Sequence, residues 1–590
     1  MYVLLAGFVA MGIFMFQVSQ GISYTTASQE DAYIQVQTPV LPLETTCLVI
    51  SDSRQQTSRD GLEQLEQIFY DMKVGCEMLD LAERMPEDFT PYKTVVVNLI
   101  KLEALNGKIV QLCEWVKNGG KVMFAQTMEV DGTFQSMANK LGIREYSYAN
   151  GMVDKINIDE DFMLGAGTYE IDDGYDSALI VSLMEKCKVY ASTVDTYPIP
   201  LIWEVAYGEG KFVVNNFGIC EKVTRGFYAA SYSLLEDTCI YPVIDASIFY
   251  IDDFPSPVPE GDGQYIRMLY NMNVADFYAN VWWPDMLTIS EKYGIPFNGM
   301  IIENYEDEVE GELYTNKNTT RFAFFGDMLL NMGGDLGIHG YNHQPLCLEG
   351  VHYLEEDYNT WPSVEQMRKS IQEVINFSGN VFPDAEFTTY VPPSNILSAE
   401  GRSMLKTDFP QFRNIASIYF SGNNAYEQEF EVAADGMIEV PRIVSGCTLT
   451  NYMKLALVSE LNMHYVNTHF LHPDDLLDPE RGAALGWDRM KGDYVEYLDW
   501  LQAAAPRIRK LSASDGAGAV QRFYQTGVER TETEDEIHLK LSGFVDDAHF
   551  MMRVNKGQIT AVSGAEIEEL VGNLYLIHAS ESEIVLKKQS

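Results

Sequence analysis

A multidomain α/β protein is predicted, on three observations. The chain has 590 residues, and a single hydrophobic core stops growing at roughly 250 to 300 residues. Between positions 46 and 124, buried-strand runs alternate with helical spacing, the pattern of a parallel sheet with crossover helices. Over positions 515–590, apolar and polar residues alternate with turn residues between them, which predicts a small β-sandwich.

Positions 2–18 are almost continuously apolar and uncharged, so residues 1–20 are expected to form a membrane anchor, or a signal segment if cleaved. The first basic residue is Arg54, so the usual positive-inside cue is missing. Residues 21–45, polar and ending near Pro39 and Pro42, read as a linker. The first α/β domain is expected over 46–235, with strands at 46–50, 94–98 and 121–124 and helices at 58–72 and 105–118. A Gly-turn at Gly208 and Gly210 leads into a strand that closes the sheet. The stretch from Trp115 through Gly119-Gly120 to Phe124 resembles the flavodoxin-like, or glutamine-amidotransferase-like, fold. No histidine precedes His339 and no cysteine sits on a Gly-x-Cys-x-Gly elbow, which excludes amidotransferase chemistry in that domain. Over 240–511 short strands end in polar clusters, and helical spacing appears at 274–293 and 364–377. This predicts a (β/α) barrel, whose sites sit on the C-terminal rim of its strands.

With 86 acidic against 41 basic residues, a formal charge of −45 opposes nucleic acid as a partner. A neutral substrate, or a polymer that gains amines as it is processed, meets no such barrier. The eight cysteines are dispersed, most beside apolar residues; their even number permits disulfides without demanding them, and no bridge is assigned.

Six of the nine histidines fall between 339 and 472. The run Tyr250-Ile251-Asp252-Asp253 ends a strand in two carboxylates, whose side chains leave on opposite faces. One can hold a metal while the other stays free. His339 and His343 lie four apart, a spacing that puts two ligands on one face if the segment is helical. Two histidines and one carboxylate with open positions form a catalytic metal arrangement. His472 ends another strand, where an imidazole can protonate a leaving amine, with His469 as a competitor. His464 and His352 read as structural. Trp282, Trp283, Tyr390, Arg442 and His469 are candidate substrate contacts.

These residues resemble the polysaccharide deacetylase family of carbohydrate esterases over roughly 245–510. The family motif Thr-x-Asp-Asp reads Tyr250-Ile251-Asp252-Asp253, its His-(Ser/Thr)-x-x-His reads His339 to His343, and its closing motif reads Phe470-Leu471-His472. Ile251 to Pro255, Gly337 to Gln344 and Val391-Pro392-Pro393-Ser394-Asn395 look like the deacetylases of Pel-type exopolysaccharide systems, including membrane-anchored forms. The resemblance implies that Asp253, His339 and His343 hold a divalent metal, Zn2+ by preference, with Asp252 as general base and His472 as general acid. It also implies an extracytoplasmic enzyme acting on an N-acetylhexosamine polymer, with membrane synthase or export proteins as partners. The family's third motif supplies an Arg beside Pro that Tyr390-Val391-Pro392-Pro393 lacks; Arg442 is a substitute, and Asp435 a candidate for the fourth-motif carboxylate. The missing Arg leaves room for a non-catalytic polysaccharide-binding or assembly subunit. The same metal site also suits an amidase or esterase on another cell-wall substrate.

Overall fold

A computed structural model describes residues 28–35, 44–256, 263–348, 358–420, 422 and 425–589. Within them lie four sheets, two of nine strands and two of four. The apolar segment 2–18 and most of the expected linker lie outside the described residues, as does His352. Among the described residues no helix is long and apolar enough to cross a membrane.

The first sheet places Thr45–Ser51, Thr94–Val97, Lys121–Phe124 and Gly210–Asn215 in parallel register, with Gly75–Asp80 outside. Helix Gln56–Asp71 covers it through Leu65, Ile68 and Phe69, which share one helical face. Beyond Gly210–Asn215 the sheet turns antiparallel through Pro200–Tyr207, Lys188–Thr193 and the long hairpin Ile143–Ile158 and Gly167–Leu183. All eight cysteines are free.

The central sheet runs in the order Glu431–Val432, Ile438–Glu439, Asn414–Ile415, Thr389–Tyr390, Leu336–Gly340, Phe297–Ile302, Ala246–Phe254, Val466–Leu471, Val444–Ser445. Its pairings are parallel except that of Glu431–Val432. The expected closed barrel is corrected: among the described residues no ladder joins the two outer strands. Five of the nine strands are two residues long, too short to carry hydrogen bonding around a ring. Helix Ala513–Gln525 covers the N-terminal end of this sheet. Asn298 Oδ1 accepts from the Ala513 amide at 2.9 Å and Asp335 Oδ2 from the Ser514 amide at 2.8 Å. A Cβ on Gly516 would lie 2.1 Å from Ile248 Cδ1, so glycine sets that approach.

The last two sheets enclose one core, with Ile537 and Leu539 from one facing Phe550 and Ile577 from the other. The sandwich takes in Thr238–Val243, which pairs with Ala548–Val554 and precedes the central sheet in sequence. Part of the expected linker is docked, since Tyr33 donates to Thr388 Oγ1 at 2.9 Å. One buried apolar cluster runs from Val49 through Phe227 and Leu457 to Ile248, so the first sheet and the central sheet share a core.

Candidate metal centre

Strand Ala246–Phe254 is buried along its whole length, and its ladder to Phe297–Ile302 shifts register between Ile251 and Phe254. The shift falls on the two carboxylates. Asp253 takes a left-handed φ of 51°, a conformation that a non-glycine residue keeps only where its surroundings fix it. His339 stands in strand Leu336–Gly340, and His343 follows in a bend with φ of 57°. The helical condition attached to the four-residue spacing is not met: a strand end and a left-handed turn bring the imidazoles together, with ring centroids 5.2 Å apart.

His339 Nε2 and His343 Nε2 lie 3.5 and 3.6 Å from Asp253 Oδ1. One ligand atom from each of the three residues falls within 4.8 Å of the others. The His339 Nδ1–H donates to the Val391 carbonyl at 2.9 Å, and the Tyr358 hydroxyl lies 3.4 Å from His343 Nδ1. The carbonyl contact leaves the His339 Nε2 lone pair for the space in front of Asp253, which His343 Nε2 also faces. His339 Nε2 and Asp253 Oδ1 are buried without a hydrogen bond among the described residues, a costly state unless a cation joins them. Burial, then the neighbouring Asp474, pushes the Asp253 carboxyl up to about 8. Burial lowers His339 to about 4 and His343 well below the usual imidazole value. Two neutral imidazoles and a carboxylate in need of positive charge fit a divalent ion. Asp547, His549 and His578 cluster as closely, but Arg509 and Arg522 each approach the Asp547 carboxylate at 3.1 Å and already supply its countercharge.

Asp252 faces a different environment. Burial alone would raise its carboxyl, but Arg442, then His339 and His472, hold it below the ordinary range. Arg442 Nη1 donates to Asp252 Oδ2 at 2.5 Å, Nε donates to the Ser417 carbonyl at 3.1 Å, and Nη2 donates to Asn395 Oδ1. The guanidinium also lies 3.9 Å from the Phe470 ring centroid. His472 Nε2 approaches Asp252 Oδ2 at 3.8 Å, and its Nδ1 lies 3.4 Å from Asp475 Oδ1. Burial opposes a charged His472, yet Asp475, then Asp253 and Asp252, raise it to about 9. A cleft of about 570 Å3 opens over Asp252, His339, His343 and His472.

The geometry thus gathers Asp252, Asp253, His339, His343, Arg442 and His472. It does not bring the remaining candidates to the cleft. Trp282 and Trp283 are core residues, each 1% exposed, and Trp283 stacks on Phe325 at 4.7 Å. Tyr390 is fully buried, while the His469 Nε2–H donates to the Gly446 carbonyl at 2.8 Å and the ring packs against Tyr494 and Tyr497. Asp435 is held by Arg402, at 3.2 Å from Nη2. Asp475 and Tyr358 have no role in the sequence reading, where Asn395 stands only as the end of the run Val391 to Asn395. Asp475 had a signal, its position three residues after His472, where it caps the turn Pro473–Leu476.

The family model described as "Uncharacterised protein conserved in bacteria (DUF2194)" matches residues 22–199 and 183–576. The chain belongs to this family. No curated protein matches it. Among solved structures, a "putative polysaccharide deacetylase" from Mycobacterium smegmatis is similar at 16% identity, over 47% of this chain and 89% of that one, with a TM-score of 0.30. A glutamine amidotransferase from Thermotoga maritima is similar at 13% identity, over 32% of this chain and 82% of that one, TM-score 0.22. A β-galactosidase from Bacillus circulans sp. alkalophilus is similar at 15% identity over 29% of this chain, TM-score 0.22, and only 28% of its own length is spanned. At these scores the likenesses carry no argument about chemistry.

Proposed function

We propose that this protein is a metal-dependent N-deacetylase, with zinc as its ion, that removes acetyl groups from a Pel-like exopolysaccharide containing N-acetylhexosamine. One observation carries the reading: the unpartnered buried atoms of Asp253 and His339 sit beside a carboxylate held ionised and an imidazole held protonated. Environments that push two titratable groups apart assign base and acid. When bound, a divalent ion polarises the acetamide carbonyl and makes water nucleophilic near neutral pH. Asp253, His339 and His343 would hold it. Asp252, oriented by Arg442, accepts the proton of the attacking water at its carboxylate. His472, charged through Asp475, donates its proton to the departing amine nitrogen. Acetate and an amino sugar result.

The acidic surface, at a formal charge of −45, suits a product that gains amines. The apolar segment 2–18 supports a place at the outer face of the cytoplasmic membrane, beside the synthase and export proteins of the polymer.

Acetate release is measured on N-acetylglucosamine oligomers after metal stripping and reloading with zinc. Activity is expected to return with the metal. Asp252→Asn is expected to lose about 100-fold to 10,000-fold in rate while still binding the ion, whereas His339→Ala loses both. Undiminished acetate release by Asp252→Asn sinks the mechanism.

A further inference from the structure

A second cleft of about 640 Å3 lies beside the metal-centre cleft, and Thr448 lines both. Its near side is formed by the start of helix Asn451–Met463 and by helix Trp487–Ala504. Its far side is residues 166–170, which open the strand Gly167–Leu183 of the first sheet. This wall is fixed: the Leu164 amide donates to Asn462 Oδ1 at 2.8 Å and Asn462 Nδ2 donates to the Leu164 carbonyl at 3.0 Å. A Cβ on Gly165 would lie 3.1 Å from Trp500 Cζ2, so that glycine lets the half-buried indole reach the cleft. Around Trp500 stand Glu170, Asp493 and Glu496 with Lys454 and Arg489, and two of these acids are ion-paired, Glu170 to Lys155 at 2.7 Å and Asp493 to Arg489 at 2.9 Å. Asp493 is already oriented, by Thr448 Oγ1 at 2.9 Å and Arg489 at 2.9 Å.

We propose that this second cleft binds the sugar units of the polymer that flank the one being deacetylated, with Trp500 as the stacking platform and the first domain as one wall. An indole face ringed by charged and hydroxyl groups matches a sugar ring, which has one apolar face and a rim of hydroxyls. An apolar protein segment would leave five charges desolvated. The exposed carboxylate of Glu496 at the rim favours units that already carry amines, so the chain is held on its processed side. The identity of the ligand, though not the existence of the site, rests on the deacetylase reading.

The test titrates the full-length, zinc-loaded protein with the hexamer of N-acetylglucosamine and with its deacetylated counterpart, by calorimetry. Trp500→Ala is expected to weaken both by about tenfold and Trp500→Phe to restore most of the loss. Turnover of 4-nitrophenyl acetate, too small to reach Trp500, is expected to stay at the wild-type level. Unchanged hexamer binding by Trp500→Ala, or no binding of either hexamer by the wild type, overturns the proposal. If Trp500→Ala also loses ester turnover, Glu496→Gln at the exposed rim decides. It is expected to weaken the deacetylated hexamer by about threefold and leave the acetylated one unchanged, and no change in either overturns the proposal. A wild type that binds hexamer through Trp500 but releases no acetate from it would instead count against the deacetylase reading alone.

Discussion

Asp252 and Asp253 are neighbours in the chain with opposite electrostatics, and the difference lies in what each one faces. Arg442 holds Asp252 ionised from 190 positions away, whereas at Asp253 burial and Asp474 outweigh the opposing charges of His472 and Arg481. Arg442 is 1% exposed, so Arg442→Met deprives the buried Asp252 of its guanidinium partner and is expected to cost about 3 kcal/mol, read from the urea midpoint. Acetate release should fall with it, and Arg442→Lys should recover little, because an ammonium cannot reach Asp252, Ser417 and Asn395 together. His472 makes a separate prediction. Asp475 stabilises its charged form, so in Asp475→Asn the imidazole loses its proton at lower pH, and the alkaline limb of kcat/KM should move down from about 9. An unmoved limb would remove His472 from the role of acid.

Helix Asn451–Met463 joins the first sheet to the central one. A Cβ on Gly226 of the opposing helix Arg225–Ser233 would lie 1.9 Å from the Ser459 carbonyl, which shows how closely the two helices approach. At its end His464 is buried between Glu460, at 2.6 Å from Nδ1, and Asp71 of the first domain, at 3.3 Å from Nε2. Burial disfavours its charge, but Glu460 and then Asp71 raise it to about 10. Because the folded value lies above that of an unfolded histidine, about 6.5, the charged form contributes fully below that pH. The contribution drains away as pH rises to about 10. The urea midpoint of the wild type is therefore expected to fall across that window and that of His464→Gln to stay flatter. Parallel curves would show that the clamp does not titrate.

At the scale of the molecule, the negative charge acts at long range and salt screens it. The Debye length shrinks from about 10 Å at 0.1 M salt to about 3 Å at 1 M. Binding of a deacetylated, cationic oligosaccharide is expected to weaken over that range, and binding of the neutral acetylated form to hold. Equal salt dependence for both would mean that the −45 charge serves solubility alone. The three sheet systems are also less separable than their sequence order suggests. Thr238–Val243 belongs to the C-terminal sandwich, Tyr33 docks against Thr388 of the central sheet, and a hairpin of the first sheet walls a cleft beside the metal centre.

The sequence by itself determined the α/β character and the main strands, and it named the candidate metal ligands that the fold gathers. A short, β-branched or aromatic apolar run that ends in charge reads as a buried strand with a polar rim, and few residue types bind a divalent ion. It also pointed to Arg442 without showing why it was needed. Tertiary structure decided the rest, because the deciding contacts join residues far apart in the chain. Paired tryptophans read the same in sequence whether they meet sugar or Phe325, and His339 and His343 meet through a turn that no helical period describes. Closure of the central sheet depended on strands too short to leave a periodic signal, and the partner of Asp252 on which strand end lay beside it.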